Sequence, residues 1–421
     1  VCGEILGGSD LTMNDRPRLR MLEAFAVEQD GERMMALRDP AGFTEQVAAF
    51  PLPLLDLVSL FDGEHTVPEI QEILRARHGE APTAEQIDAL IESLDEAGFL
   101  ESEQFQARRR SLEEGFRQSA VRPAVHAGGA YAGEATELAA QIDGFFAPPE
   151  GPGAPPDVAP QHTVATLRGL IAPHIDFHRG GPVYAWAYRA LLERSDADLF
   201  VILGTCHAGM ADPFAVTLKP YDTPLGAVPA DPEFCETLQR RYGADLLSSE
   251  AAHRNEHSIE FQAVMLRHVL GARPFSIVPV LASYLHEAVW TRGDPERDSR
   301  VPGFIDALLA TMATSRRKVC VIAGVDLAHV GPRFGDPEPN TREFLRTVEA
   351  ADLDMLEAVT SGDPTAFFAS VAHDGDRRRI CGLSPIYTFL RALPGATGRL
   401  VRYRQWPDPQ GAVSFCAATF P

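Results

Sequence analysis

Five short motifs in a 421-residue chain combine imidazole, thiol and carboxylate groups. His174, Asp176 and His178 follow the apolar run "GLIAP" in "IAPHIDFHRGG". Cys206 and His207 follow "FVILGT", and Asp326 and His329 follow "VCVIAGV". The loop "NEHSIEFQ" supplies Glu256, His257 and Glu260, and "RRICGLSP" places Cys381 just before an expected helix. Singly, each has a plain structural role: imidazole has many hydrogen-bonding uses, a cysteine packs as a small apolar residue, and Glu256 can cap the helix beginning near Ser258. His178 is expected at the surface, and Asp176 can stabilise a turn. Together they mean more, because strand ends of an open α/β sheet converge in space and hold ligands there. Imidazole and thiolate suit iron, copper or zinc, and three protein ligands leave coordination positions open. A metal site is the natural reading; a metal-free acid/base site built from His257, Asp326 and His329 is the alternative.

The elements that must position these groups follow from the patterning. From Arg122 onward, apolar runs alternate with amphipathic stretches, which predicts an α/β domain over 122–421. Its expected strands are "ATLRGLIAP", "LFVILGT", "FAVTL", "FSIVPVL" and "KVCVIAGVD", with a C-terminal pair at "LVRYRQW" and "AVSFCAATF". Residues 148–160 hold six prolines and are expected to be irregular, a surface loop inside the domain.

Residues 16–101 make a separate unit. "AFAVEQDGERMMALRD" predicts a hairpin turning at Asp30-Gly31, and "PLLDLVSLF" has helical spacing. "TVPEIQEILRARHG" offers a Thr cap, an early Pro and a Gly stop, and "TAEQIDALIESLDEAGFLES" repeats the pattern before a short final strand. Hairpin, three helices and a strand describe a winged-helix-like α+β domain. A charged linker helix is expected over 102–121, and residues 1–15 are expected to be a flexible lead.

The balance of charge excludes some partners. The chain carries 38 Lys and Arg against 59 Asp and Glu, a net charge of −21. Residues 16–101 hold 7 basic and 18 acidic residues, a balance of −11. Both argue against nucleic acid, whose phosphates select basic surfaces, and against an anionic membrane surface. No run approaches the roughly 18 to 20 apolar residues of a membrane helix, and no basic segment with an apolar core opens the chain, so a cytoplasmic location is expected. The six cysteines are scattered without a CxxC pair, which predicts free thiols, not a disulfide framework or zinc knuckle.

The motifs "RPAVHAGGAYAG", "IAPHIDFHRGG", "ILGTCHAG", "YDTPLGAVPAD", "NEHSIEFQ", "IVPVLAS", "VDLAHVG" and "ICGLSP" occur in the order of the Memo family, whose microbial members are called AmmeMemoRadiSam system protein B. Residues 122–421 resemble that family. The resemblance implies an αβα sandwich around a mixed central sheet, like the class III extradiol dioxygenases, with a cleft at the strand ends. It implies that His174, His207 and Cys381 are the metal ligands, the thiolate favouring a soft or redox-active metal such as iron or copper. By analogy with the dioxygenases, His329 would be the acid/base and Asp326 its orienting partner, and His126 and His257 lie in motifs lining the same cleft. The chain departs from the animal pattern at Ala208, which replaces a histidine, at Ser384, which replaces another, and in "HIDFHRG", which brings Asp176 and His178 toward the cleft. "LFDGEHTVPEI" makes residues 16–101 resemble PqqD-like peptide-recognition modules that serve radical SAM enzymes.

Two functions from different classes follow. The first is an iron- or copper-dependent redox protein with oxygenase-like chemistry. The second is a module that binds a peptide, acting with a radical SAM protein and an AMMECR1-like protein, the partners that the resemblance implies. A scaffold with a vestigial site ranks behind both.

Overall fold

In the computed structural model of the chain, residues 16–29, 31–154 and 166–421 are described. The expected flexible lead and the end of the proline-rich stretch lie outside them. The chain divides into two compact units, one reaching to Gly115 and the other running from Phe116 to Pro421.

In the first unit, β1 (Glu23–Gln29) and β2 (Glu32–Arg38) form the expected antiparallel hairpin; Asp30 of its turn is outside the described residues. A third strand, β3 (Val47–Pro51), adds to β2 where none was expected. "PLLDLVSLF" gives only a 3-10 turn and one helical turn, α1 (Leu55–Val58), because Pro51 and Pro53 restrict the chain that enters it. The helices α2 (Val67–His78) and α3 (Ala84–Glu96) begin at capping boxes, Thr66 with Glu69 and Thr83 with Gln86. Gly79 ends α2 with φ +83°, a conformation costly for residues with a Cβ. The expected final strand is reduced to a single bridge between Leu19 and Leu100. Ile70, Leu74, Ile87, Ile91 and Phe99 bury their side chains in the unit's core. The charged stretch predicted as a linker is the helix α4 (Glu103–Gln118).

The second unit is an α/β sandwich. Its helices are α5 (Ala135–Phe145), α6 (Phe177–Arg194), α7 (Pro232–Tyr242), α8 (His257–Leu270), α9 (Leu285–Thr291), α10 (Arg300–Thr314), α11 (Arg342–Ser361), α12 (Pro364–Ala372) and α13 (Leu383–Ala392). Its strands are β4 (Gly169–Ala172), β5 (Leu199–Thr205), β6 (Phe214–Val216), β7 (Ser276–Ala282), β8 (Val319–Gly324), β9 (His329–Val330), β10 (Arg399–Trp406) and β11 (Ala412–Phe420). They make one eight-stranded mixed sheet in the order β10-β11-β4-β8-β5-β7-β6, with β9 paired to β11. The four strands β4, β8, β5 and β7 are parallel neighbours. The outer pairings, β10 with β11, β11 with β4 and β6 with β7, are antiparallel. Every residue of β4, β5 and β7 is buried, as befits parallel strands covered on both faces, and explains their unbroken apolar runs. Two apolar clusters form the core of this unit. No helix among the described residues is long and apolar enough to cross a membrane.

Parallel pairing of β4, β8 and β5 brings their C-terminal ends to one edge. His174 follows β4, Asp326 follows β8, and Cys206 and His207 follow β5. The sheet thus gathers groups more than a hundred residues apart in sequence.

Candidate metal centre

Three imidazoles meet at that edge: one donor atom from each of His174, His207 and His257 lies within 4.8 Å of the other two. This buried-to-half-buried triad can hold a metal ion. Cys381 joins it from the loop before α13, its Sγ 2.9 Å from Nε2 of His174 and 3.7 Å from Nε2 of His207. Histidine and thiolate within these separations are a donor set for a borderline or soft transition metal, so the residues fit the group that the sequence led us to expect. The thiol was expected as the third ligand; the geometry adds His257, which was expected as an acid/base.

Each ring is turned by its outer nitrogen. His174, 2% exposed, donates from Nδ1 to the carbonyl of Gly324 at 2.9 Å, which leaves the lone pair of Nε2 facing the centre. His207 donates from Nδ1 to Glu256, 3.0 and 3.1 Å from its two carboxylate oxygens. Glu256 also accepts from the His207 backbone at 2.9 Å and from Ser258 N–H at 3.0 Å. It therefore caps α8, as expected, and in addition orients the His207 ring. His257 Nδ1 lies 3.4 Å from the same carboxylate, and its ring stacks on His207 at 4.6 Å.

Electrostatics follow from burial. Burial holds His174 well below the usual histidine range, helped by His207 and His257, and pushes His257 down to about 3 against the pull of Glu256. For His207, burial is outweighed by the Glu256 carboxylate and Cys381, which raise it well above that range. Burial works against ionisation of Glu256, but His207 and His257 hold it well below the carboxylate range. Burial raises the Cys381 thiol while the hydrogen bond to His207 opposes the rise.

Asp326 accepts the backbone N–H groups of His174 at 3.0 Å and Ile175 at 3.3 Å. Burial pushes it up to about 7 in spite of those bonds. His329 donates from Nδ1 to the Leu327 carbonyl at 3.1 Å, and burial pushes it down to about 4. The His329 backbone bonds to the carbonyl of Arg378 at 2.7 Å, and Arg378 is paired with the fully buried Asp352. The site of Cys381 and the Asp326 to His329 segment are thus tied together, since Gly382 N–H also bonds to Asp326 O at 3.0 Å.

Other candidates stand apart from the imidazole triad. His126 engages the Asn255 carbonyl at 3.1 Å and sets its ring 5.7 Å from that of His257, so it borders the cluster. Asp176 forms a two-pronged pair with Arg179 at 2.7 and 2.6 Å, and His178 beside it has a side chain 61% exposed. Cys206 is buried, its thiol pushed up by that burial. A cavity of about 470 Å³ is lined by Asp212, Tyr284, Glu287, Asp298 and Arg300 among others, and none of the candidate site residues borders it.

Of the groups that support the centre, Glu260 stood out in the sequence and its partners did not. Arg122, 0% exposed, pairs with Glu260 and donates to the carbonyls of His253 at 3.0 Å and Glu256 at 2.6 Å. It thereby fixes the loop that carries Glu256 and His257. Tyr131 also donates to Glu260. Gln262 reaches the Pro173 carbonyl at 2.7 Å, Ser258 the Thr205 carbonyl at 2.9 Å, and Thr205 Oγ1 the Cys381 carbonyl at 3.0 Å. The available signal was polar residues, Glu260 and Gln262, inside the otherwise apolar "SIEFQAVML".

The family model for Memo-like proteins matches residues 122–417. The chain belongs to the Memo family. Among its relatives, a MEMO1 family protein of Aquifex aeolicus is 29% identical over 415 residues, covering 96% of this chain and 100% of the relative. One from Thermus thermophilus is 28% identical over 340 residues, 80% of this chain and 93% of its own length. One from Methanopyrus kandleri is 30% identical over 296 residues, 69% of this chain and 94% of its own. The match to the Aquifex protein thus extends beyond the Memo-like region into the N-terminal unit, whereas the Methanopyrus protein is nearly spanned by a match of Memo-like size.

Proposed function

We propose that this Memo-family protein is an iron- or copper-dependent redox protein with oxygenase-like activity, its metal held by His174, His207 and Cys381. The observation that carries the reading is the approach of the Cys381 sulfur to Nε2 of both histidines, with each Nδ1 already committed to an acceptor. Bound there, iron or copper would supply one-electron chemistry and a Lewis acid for oxygen or an electron-rich, catechol-like substrate. His329, neutral at pH 7 because burial lowers it to about 4, keeps Nε2 as a proton acceptor. Asp326 positions His174 through its backbone. His257 is also neutral at pH 7. Elemental analysis of protein purified without oxygen tests the reading. Near-stoichiometric iron or copper is expected in the parent and its loss in His174→Ala and Cys381→Ala; a parent that takes up neither metal after reconstitution refutes it.

A second reading concerns the N-terminal unit. Met21, Val47, Leu52 and Leu55 are exposed apolar side chains there, on a strongly acidic background. This favours docking of a peptide or a protein, and by resemblance a radical SAM protein working with an AMMECR1-like protein. A pull-down with the full chain should recover the radical SAM protein and lose it when residues 16–101 are deleted; unchanged recovery counts against the docking role.

A further inference from the structure

One fully buried carboxylate takes no part in the chemistry proposed above. Asp352 is the charged residue among the buried positions of α11, the others being Val348, Met355, Leu356 and Val359. Its side chain is 0% exposed and receives three donors: the Arg378 guanidinium at one oxygen, and at the other Ser414 Oγ at 2.5 Å and Tyr403 Oη at 2.9 Å. Burying a charged pair costs desolvation that its attraction need not repay, and apolar side chains of similar volume often serve a fold as well. Stability alone does not explain the placement.

We infer that Asp352, acting through Ser414 of β11, is a positioning residue that sets the acid/base His329 and the ligand Cys381 together. This rests on the roles proposed above for those two residues. The Ser414 hydroxyl has a single proton, which Asp352 accepts, so its lone pairs are turned to Ala328 N–H, which donates to it at 2.9 Å. The Ser414 carbonyl accepts Leu327 N–H at 2.8 Å, and Ser414 N–H donates to the Ala328 carbonyl at 3.0 Å. Three bonds from one residue therefore fix Leu327 and Ala328. The Leu327 carbonyl in turn accepts both His329 Nδ1–H at 3.1 Å and Cys381 N–H at 3.3 Å.

The other oxygen of Asp352 supplies a second arm. Arg378, which it holds, accepts His329 N–H at its carbonyl at 2.7 Å and stands three residues before Cys381. One carboxylate thus reaches the segment 327–329 through Ser414 and the loop of Cys381 through Arg378. Tyr403 meets the same carboxylate oxygen as Ser414, but its hydroxyl is otherwise bonded to Gln405 Nε2 at 3.0 Å, and Gln405 also donates to the Leu345 carbonyl of α11 at 3.0 Å. That branch leads away from His329 and Cys381.

The test compares Asp352→Asn, Ser414→Ala and Tyr403→Phe in the full chain. Nitrogen-15 spectra of the metal-free protein read the His329 Nδ1–H resonance, assigned with His329→Gln, and His253, whose two ring nitrogens are engaged by Ala215 and Tyr221, is the reference. The first two variants should move the His329 signal and speed its solvent exchange by about two- to tenfold, the scale of one hydrogen bond, with His253 unmoved. Loaded with cobalt(II), they should bind the metal about tenfold more weakly, the lower end of what groups behind metal ligands contribute, and shift the near-ultraviolet thiolate band. Tyr403→Phe should leave these readouts at parental values although it also removes a bond to Asp352. Should Asp352→Asn fold poorly because Arg378 loses its counter-charge, Ser414→Ala keeps that pair and decides the matter. Parental His329 and thiolate signals in Ser414→Ala, or equal shifts in Ser414→Ala and Tyr403→Phe, overturn the inference. A parent that binds no cobalt while His329 responds as expected overturns the metal reading and leaves the hold of Asp352 on His329 standing.

Discussion

Replacing Glu256 by Gln should weaken metal binding and the fold through separate, measurable routes. Glu256 is 5% exposed, and the groups around its two oxygens are donors: Ser258 N–H, His207 Nδ1–H and His207 N–H. Gln keeps one acceptor oxygen and turns its NH2 toward one of those N–H groups. If the amide oxygen retains Ser258 and the ring, the His207 backbone N–H is left buried without a partner, a cost of about 1 to 3 kcal/mol. Denaturant unfolding of the metal-free protein measures that loss. Removing the carboxylate behind a ligating imidazole costs about 10- to 100-fold in metal affinity, equivalent to about 1.4 to 2.7 kcal/mol, which competition against a chelator measures. A pH signature separates this from simple loosening. Because Glu256 helps hold His207 well above the usual histidine range, metal must displace a proton from it, and affinity should fall as pH falls. Without the carboxylate, burial draws His207 down, so the Gln variant should show a shallower dependence near neutrality. Affinity within about twofold of the parent, with the same pH slope, would refute the assignment of Glu256 as the group that sets His207.

Arg122→Met should cost about 3 to 5 kcal/mol in urea unfolding, because Glu260 is left charged, fully buried and unpaired; adding Glu260→Gln should recover part of the loss, whereas strict additivity would show that the pair is not coupled. Gly324→Ala would place a Cβ 2.6 Å from Ser258 O and 2.8 Å from Gln262 Nε2, so β8 and α8 must separate, with about 1 to 3 kcal/mol lost to overpacking and weaker metal binding as the Gly324 carbonyl leaves His174; an Ala variant with parental stability refutes the close approach. His253 donates from Nε2 to Ala215 O and accepts from Tyr221 at Nδ1, and burial pushes it down to about 3 from 6.5. The unfolded chain therefore binds the extra proton between those values, stability is complete above about pH 6.5 and is lost progressively as pH falls toward 3, and His253→Gln should flatten the acid limb of melting temperature against pH; an unchanged limb would mean that another group carries the acid sensitivity.

How far the sequence reached depends on the range of the interactions involved. The seven strands expected after Arg122 all exist; six are apolar runs whose burial is decided locally by covering helices, whereas β10 carries Arg399, Arg402 and Arg404 and is only partly buried. Sheet order was not legible: β11, near the end of the chain, lies between β10 and β4, pairing Ala418 with Ile171, and nothing local in "AVSFCAATF" encodes that. In the N-terminal unit, β3 was hidden because "VAAFPLPLL" reads as apolar punctuated by proline, and its strand character comes from pairing with β2. The candidate ligands were visible as residue types after strand runs. Their supports were visible only in part: Glu260 stood among the polar groups of "NEHSIEFQ", but Arg122, its partner, is 138 positions away and alone looks like a surface charge. His257 stood in a quoted motif, but its proximity to His174 and His207 depends on where α8 starts, and that start is set by Glu256 accepting from Ser258.

The same bonds explain how loops can hold a centre of this kind. His174 is oriented by the carbonyl of Gly324, the last residue of the neighbouring strand β8. The start of α8, with Glu256 and His257, is pinned to the ends of β5 and β4 through Ser258 and Gln262. Cys381 is pinned to β5 through Thr205 and to the segment after β8 through Gly382. The loops that carry His174, His257 and Cys381 are thus each hydrogen-bonded to the end of another strand, while His207 is held by Glu256, and parallel pairing sets the ends of β4, β8 and β5 at constant spacing. A substitution that leaves every donor in place but alters one of these polar anchors should disturb the centre more than a change of similar size in the apolar clusters. Ser258→Ala against Ile259→Val provides that comparison: the first removes a hydroxyl bonded to a strand-end carbonyl, the second one methyl from a fully buried side chain. Each costs about 1 kcal/mol of stability, yet only Ser258→Ala should change the chelator-competition midpoint. Equal shifts in metal affinity would show that the centre is held by bulk packing and not by the strand ends.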